Sequence, residues 1–117
     1  MATFTKRLLS GSTNGRNIKV AATATAGTLI HTAVSGTADL DEIYIYAVNH
    51  HTANVVLTIE FGGVTSVDDL IDLSLEPDKG LYLVIPGLLL QNGLVVRAFA
   101  GTANVVDING YVNRITA

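Results

Sequence analysis

The chain has 117 residues, no cysteine, 49% hydrophobic residues, only 15% charged residues and a formal net charge of −3. That length makes one domain, and the lack of cysteine excludes a disulfide framework, a thiolate nucleophile and a zinc knuckle. Charge so far below the roughly 25% of a typical soluble domain predicts that other chains cover part of the apolar surface.

The charge is also divided along the chain. Residues 1–38 hold Lys6, Arg7, Arg16 and Lys19 and no acid, whereas residues 39–117 hold all ten acids with only Lys79, Arg97 and Arg114. The first segment, MATFTKRLLSGS, has Leu8-Leu9 as its one apolar run and does not read as a signal peptide. Residues 1–17, rich in Ser, Gly, Thr and Asn, are expected to form a basic N-terminal arm beside a folded domain of residues 18–117.

From Ile18 the apolar residues fall at every second place. Ile18, Val20, Ala22 and Ala24 predict a strand, and TLIHTAVS predicts a second. EIYIYAVN is apolar on both faces, as a central strand requires, with Tyr44 and Tyr46 sharing one of them. Val55, Leu57, Ile59 and Phe61 make the next inward set. SVDDLIDLSL predicts a strand from Leu70 to Leu75 and allows a helical turn before it, with Ser66 as the cap. Pro77-Asp78-Lys79-Gly80 is expected to join LSLE to LYLVI as a hairpin, Pro86-Gly87 to make another turn, and Asn92-Gly93 to make a type I′ hairpin. Gly110 in the last run, VVDINGYVNRI, marks a bulge or bend. About eight short strands with regular turn signals predict an all-β, antiparallel, jelly-roll-like β-sandwich.

The pentapeptide Thr-Ala-Asn-Val-Val occurs at residues 52–56 and again at 102–106. After Asn54 the inward set begins at Val55, and after Asn104 at Val106, so the two copies face opposite ways. A duplicated site would keep its facing. The repeat is turn chemistry at strand entrances.

Candidate chemistry is sparse. His31, His50 and His51 lack a carboxylate at ligand spacing, and the acidic stripe Asp68, Asp72, Glu76 lacks calcium-loop geometry. The serines sit in no nucleophile elbow, and there is no phosphate loop or dinucleotide fingerprint. No catalytic residue, metal or cofactor is expected, and the chain does not read as an enzyme. The acidic body disfavours nucleic acid, and the long uncharged stretches are too broken by Thr, Gly and Pro to span a membrane. Tyr44, Tyr46 and Tyr82 offer an aromatic surface for a sugar or a subunit contact.

DEIYIYAVNHHTANVVLTIEFGG and GLYLVIPGLLLQNGLVVRAFAGTANVVDINGYVNRI, within residues 40–116, resemble the small β-sandwich decoration, or cement, proteins on the heads of tailed bacteriophages. The likeness lies in size, strand rhythm and composition, and no functional residue carries over by motif. It implies a structural virion protein on the outer surface of the capsid, commonly a homotrimer, that binds the major capsid protein and clamps neighbouring capsomers. The residues expected to dock on the capsid are Lys6, Arg7, Arg16 and Lys19, with Tyr44 and Tyr46 at a subunit interface. The other expectation is a carbohydrate- or receptor-binding β-module of a virion spike or fibre.

Overall fold

The computed structural model describes residues 2–117. The described strands are β1 (Thr3–Leu8), β2 (Ile18–Lys19), β3 (Thr28–Thr32), β4 (Leu40–Asn49), β5 (Val55–Phe61), β6 (Leu70–Leu75), β7 (Tyr82–Leu90), β8 (Val95–Ala100) and β9 (Val106–Thr116). They form two antiparallel sheets. The first runs β1-β9-β4-β7, with β2 also on β9, and the second runs β3-β8-β5-β6. The order β2-β9-β4-β7 over β3-β8-β5-β6 is that of an eight-stranded jelly roll, in which most connections cross between sheets.

Alternation along each strand builds the core. Ile43, Ile45 and Ala47 of β4 and Val106, Ile108 and Val112 of β9 face Leu57 and Ile59 of β5 and Val96 and Ala98 of β8, all buried. Inward residues of both sheets thus interdigitate, while their neighbours in sequence face out. The repeated pentapeptide behaves as its facing requires: Val55 and Val106 are buried, and Val56 is exposed.

The ninth strand comes from the segment expected to be an arm. Thr3 to Leu8 pair along the C-terminal half of β9, from Thr3 opposite Thr116 to Leu8 opposite Tyr111. All six residues are exposed, so β1 projects beyond the cover of the second sheet and is held by its ladder to β9. The boundary at residue 18 shifts as well, because Leu9 is buried in the core. A polar composition argues against independent folding, but it does not prevent a segment from adding to a strand that is already ordered.

Turn chemistry was legible, and strand pairing was not. Gly80, Asn92 and Gly93 take positive φ as expected, and Asp78 takes it as well. Yet β6 and β7 lie in different sheets, as do β7 and β8, so neither turn closes a hairpin. A tight turn fixes where the chain reverses and leaves the partner open. Here β7 takes seven register positions along the ten-residue β4, more than the six residues of β6 present. Pro86-Gly87 makes no turn: it lies within β7, where the register to β4 shifts between Ile43 and Tyr44. Pro lacks an N–H and is tolerated on this edge strand, and Gly87 absorbs the bulge.

The strand expected over Ile18 to Ala24 stops at Lys19. Beyond Val20 the backbone N–H groups of Ala21 and Ala22 turn to the Thr28 hydroxyl, both at 3.3 Å, and the chain crosses over the second sheet. Glu60 anchors that crossing. Its carboxylate accepts from Gly27 N at 2.7 Å and from the Thr25 hydroxyl, and it is fully buried. At Gly110 the register with β4 is unbroken, and a Cβ there would stand 2.0 Å from the Tyr44 carbonyl oxygen. Gly110 therefore serves close strand approach rather than a bulge, and beside it the outer edge of β9 changes partner from β1 to β2.

Candidate docking face

The outer face of the first sheet follows from the period of two in β4. Asp41, Ile43, Ile45, Ala47 and Asn49 point inward, leaving Glu42, Tyr44, Tyr46 and Val48 outside. Register places Asn113, Tyr111, Asn109 and Asp107 of β9 beside those four. The Tyr44 and Tyr111 rings stack with centroids 4.8 Å apart and planes 17° apart, and the Lys6 ammonium lies 5.3 Å from the Tyr111 centroid. A Cβ at Gly87 would come within 3.0 Å of the Tyr44 ring, so the β7 bulge is what makes room for that ring. The neighbouring Glu42 carboxylate pushes the Tyr44 hydroxyl above its ordinary 10 and keeps it protonated.

Apolar side chains flank this row on both sides. Phe4 and Leu8 of β1 share the face with Tyr111 and Ile115, and Leu83 and Leu89 of β7 share it with Tyr46 and Glu42. Phe4 is 67% exposed, Leu8 57%, and Leu83 and Leu89 each 51%. Side chains this apolar and this exposed on one sheet face mark an interaction surface.

At the β2 end the face sinks into a hollow of about 460 Å³ lined by Asn17, Tyr46, Val48, Leu81, Asn109 and Tyr111, with Gly80 and Gly110. Asn109 is fixed there. Its amide nitrogen donates to Asn17 Oδ1 at 2.8 Å and to Gly15 O at 3.2 Å, while its Oδ1 accepts from Gly110 N at 2.7 Å.

The residues expected to dock do not form one patch. Lys6 stands on the outer face, whereas Arg7, next along β1, points to the other side. Arg16 closes a turn onto Thr13 O at 3.0 Å, and Lys19 on β2 lies in register with Asp107. The four cations are strung along the edge that β1 and β2 share. Tyr44 and Tyr46 do share one face, with Tyr44 committed to the stack and Tyr46 to the hollow.

Sequence reasoning missed a buried polar cluster. Asp41 is fully buried and accepts from Arg114 Nε at 2.7 Å, Arg114 Nη2 at 2.9 Å, His31 Nε2 at 2.8 Å and Val34 N at 3.1 Å. Ser10 N donates to His31 Nδ1 at 3.0 Å, which places the ring proton on Nε2, facing Asp41. Ser10, His31 and Asp41 thus meet, but not as a nucleophilic triad: the Ser10 oxygen accepts from Thr32 N at 2.7 Å, and His31 is 98% buried, its remaining 2% exposure leaving no room for substrate. The cluster pins the segment after β1 to β3, β4 and β9. Its signal was present in the sequence, since Asp41 occupies the inward phase of an otherwise apolar alternation and a buried carboxylate requires cationic partners. His50 pairs instead with Asp107 at 3.2 Å on the surface. Among the described residues no three His, Asp or Glu side chains gather as a metal site would need, and no helix is long and apolar enough to cross a membrane.

Comparison of the chain with family models, with curated proteins and with solved structures returns no match.

Proposed function

We propose that the protein is a structural virion component that attaches to the outer surface of an assembled phage capsid and stabilises it by clamping neighbouring capsomers. The observation that carries this reading is the outer face of the first sheet, where exposed Phe4, Leu8, Leu83 and Leu89 flank the tyrosine row on a rigid two-sheet frame. Such a face suits adhesion to a broad, flat partner such as the major capsid protein. Arg16 and Lys19, at the β2 end, supply cations for an acidic shell surface, and Lys6 and Arg7 continue them along the edge. Several copies joined together would bind a repeating shell by avidity, each further contact forming at high effective concentration once the first is made.

The test is sedimentation of the purified protein with expanded, undecorated capsids. Comigration that saturates at a fixed ratio, with a higher rupture temperature of the shell, is expected. Tyr46→Lys with Leu83→Lys should abolish comigration while the protein itself melts as before. Failure of the unaltered protein to comigrate at micromolar concentration overturns the reading.

The hollow favours a second reading, a carbohydrate-binding module, since two tyrosines and two oriented asparagines match the apolar faces and hydroxyls of a neutral sugar. The jelly roll is used by capsid and lectin domains alike and does not separate the two. A glycan array does: selective binding lost in Tyr46→Ala would favour the lectin reading, and a blank array removes it.

A further inference from the structure

Two sheets have four edges, and two of the four are closed to further pairing. The edge of β3 is covered, because Gly11 N donates to Ile30 O at 2.9 Å and the Ser10 hydroxyl accepts from Thr32 N. The edge of β7 is blunted by Pro86 and by the bulge at Gly87. The edges of β1 and β6 are open along most of their length: each strand has one partner, β9 and β5 respectively, and neither contains Pro or a register shift, although at the start of β6 Leu70 N is bonded to Val67 O at 3.2 Å.

The open edges carry opposite charge. β1 bears Lys6 and Arg7 and no acid; β6 bears Asp72, with Asp68 and Asp69 just before it and Glu76 just after. Charged side chains on an edge strand often serve only to prevent pairing. Here they discriminate. They disfavour β1 against β1 and β6 against β6, and they favour β1 against β6, since like charges across a ladder repel and opposite ones attract.

Length and register agree with charge. Both strands have six residues, and an antiparallel pairing that sets Lys6 opposite Asp72 also overlays them end to end, Thr3 against Leu75 and Leu8 against Leu70. On the face that carries Lys6 and Asp72, Leu8 then meets Leu70 and Phe4 meets Ser74. Leu8, 57% exposed in the isolated subunit, thereby gains an apolar neighbour along the edge, while the outer sheet face stays open.

From this we infer that the protein assembles with itself head to tail, β1 of one copy adding as a fifth strand to β6 of the next. The two edges lie on opposite sides of the sandwich. β1 leads directly into the segment bonded to β3, and β6 is tied to β7 by a short turn and by Glu76 N donating to the Tyr82 hydroxyl at 3.2 Å. Two copies therefore cannot satisfy both contacts at once, and the smallest closed assembly has three. This pairing requires no shell and forms in the free protein.

Charge reversal followed by analytical ultracentrifugation tests it. The unaltered protein is expected to sediment as an assembly at micromolar concentration, dissociating as salt rises because the pair is exposed and screened over about 8 Å at physiological ionic strength. Lys6→Glu alone, or Asp72→Lys alone, should weaken association about tenfold or more, and Lys6→Glu with Asp72→Lys in one chain should restore it. An equimolar mixture of the two single variants should reassemble with strictly alternating copies, hence only in even numbers. A 12.3 kDa monomer at every concentration overturns the inference. So does an assembly indifferent to both single reversals, or a double reversal that fails to rescue.

Discussion

Asp41 shows how one carboxylate can hold four segments together. Burial alone would raise its pKa, but hydrogen bonds from Arg114 and His31 outweigh burial and hold it below the ordinary 3.8. A carboxyl whose folded value lies below its unfolded value stabilises the fold at higher pH and loses that contribution as pH falls through the lowered value. Melting temperature should therefore drop as the solution is acidified below about pH 3.8, and Asp41→Asn should flatten that part of the profile. Arg114→Ala leaves the buried charge with His31 and Val34 N alone, and should cost about 2–4 kcal/mol at neutral pH by chemical denaturation. The Ser10 hydroxyl makes no contact with the Asp41 carboxylate, so Ser10→Ala should retain the acid limb.

At the scale of elements, the first seventeen residues divide at Leu9. Removing residues 2–8 takes away a strand exposed on every residue, and should leave a cooperative sandwich whose stability falls by about 1 kcal/mol. Removing residues 2–17 also deletes buried Leu9 and the Ser10 contacts to His31 and Thr32, and should cost at least a further 2–5 kcal/mol. Equal denaturation midpoints for the two truncations would contradict this division. The alternation of EIYIYAVN, the inward set from Val55 to Phe61 and the positive-φ turns were legible because each rests on neighbours in sequence. Partner choice was not. β7 pairs with β4 rather than β6, and β1 with β9 across more than a hundred residues, through contacts that no local pattern encodes. The tyrosine row was half legible for the same reason: Tyr44 and Tyr46 share a face by periodicity, while Tyr111 and Gly87 reach it only through register.

For the whole molecule, the shortage of charge is balanced by how the apolar excess is placed. Much of it lines the core, and the exposed part includes Phe4, Leu8, Leu83 and Leu89 on one sheet face. The histidines are dispersed between a buried cluster and the surface, so EDTA should leave the melting temperature unchanged to within a degree, with no stoichiometric zinc or calcium by elemental analysis. A fall of several degrees would require a metal site assembled between copies.

Because β9 is the partner of both β1 and β2, the ends of the fold are stitched to each other. During synthesis, β2 leaves the ribosome roughly ninety residues before β9, a delay of about 5–20 s at ordinary translation rates. Throughout that interval the nascent chain carries its first two strands without their partner. The stretch that waits longest is rich in Ser, Thr, Gly and Asn and bears four cations without an acid, a composition that stays hydrated and keeps neighbouring nascent chains apart. The polarity of the opening segment thus suits a vectorial constraint, with the strand made first among the last to find its place.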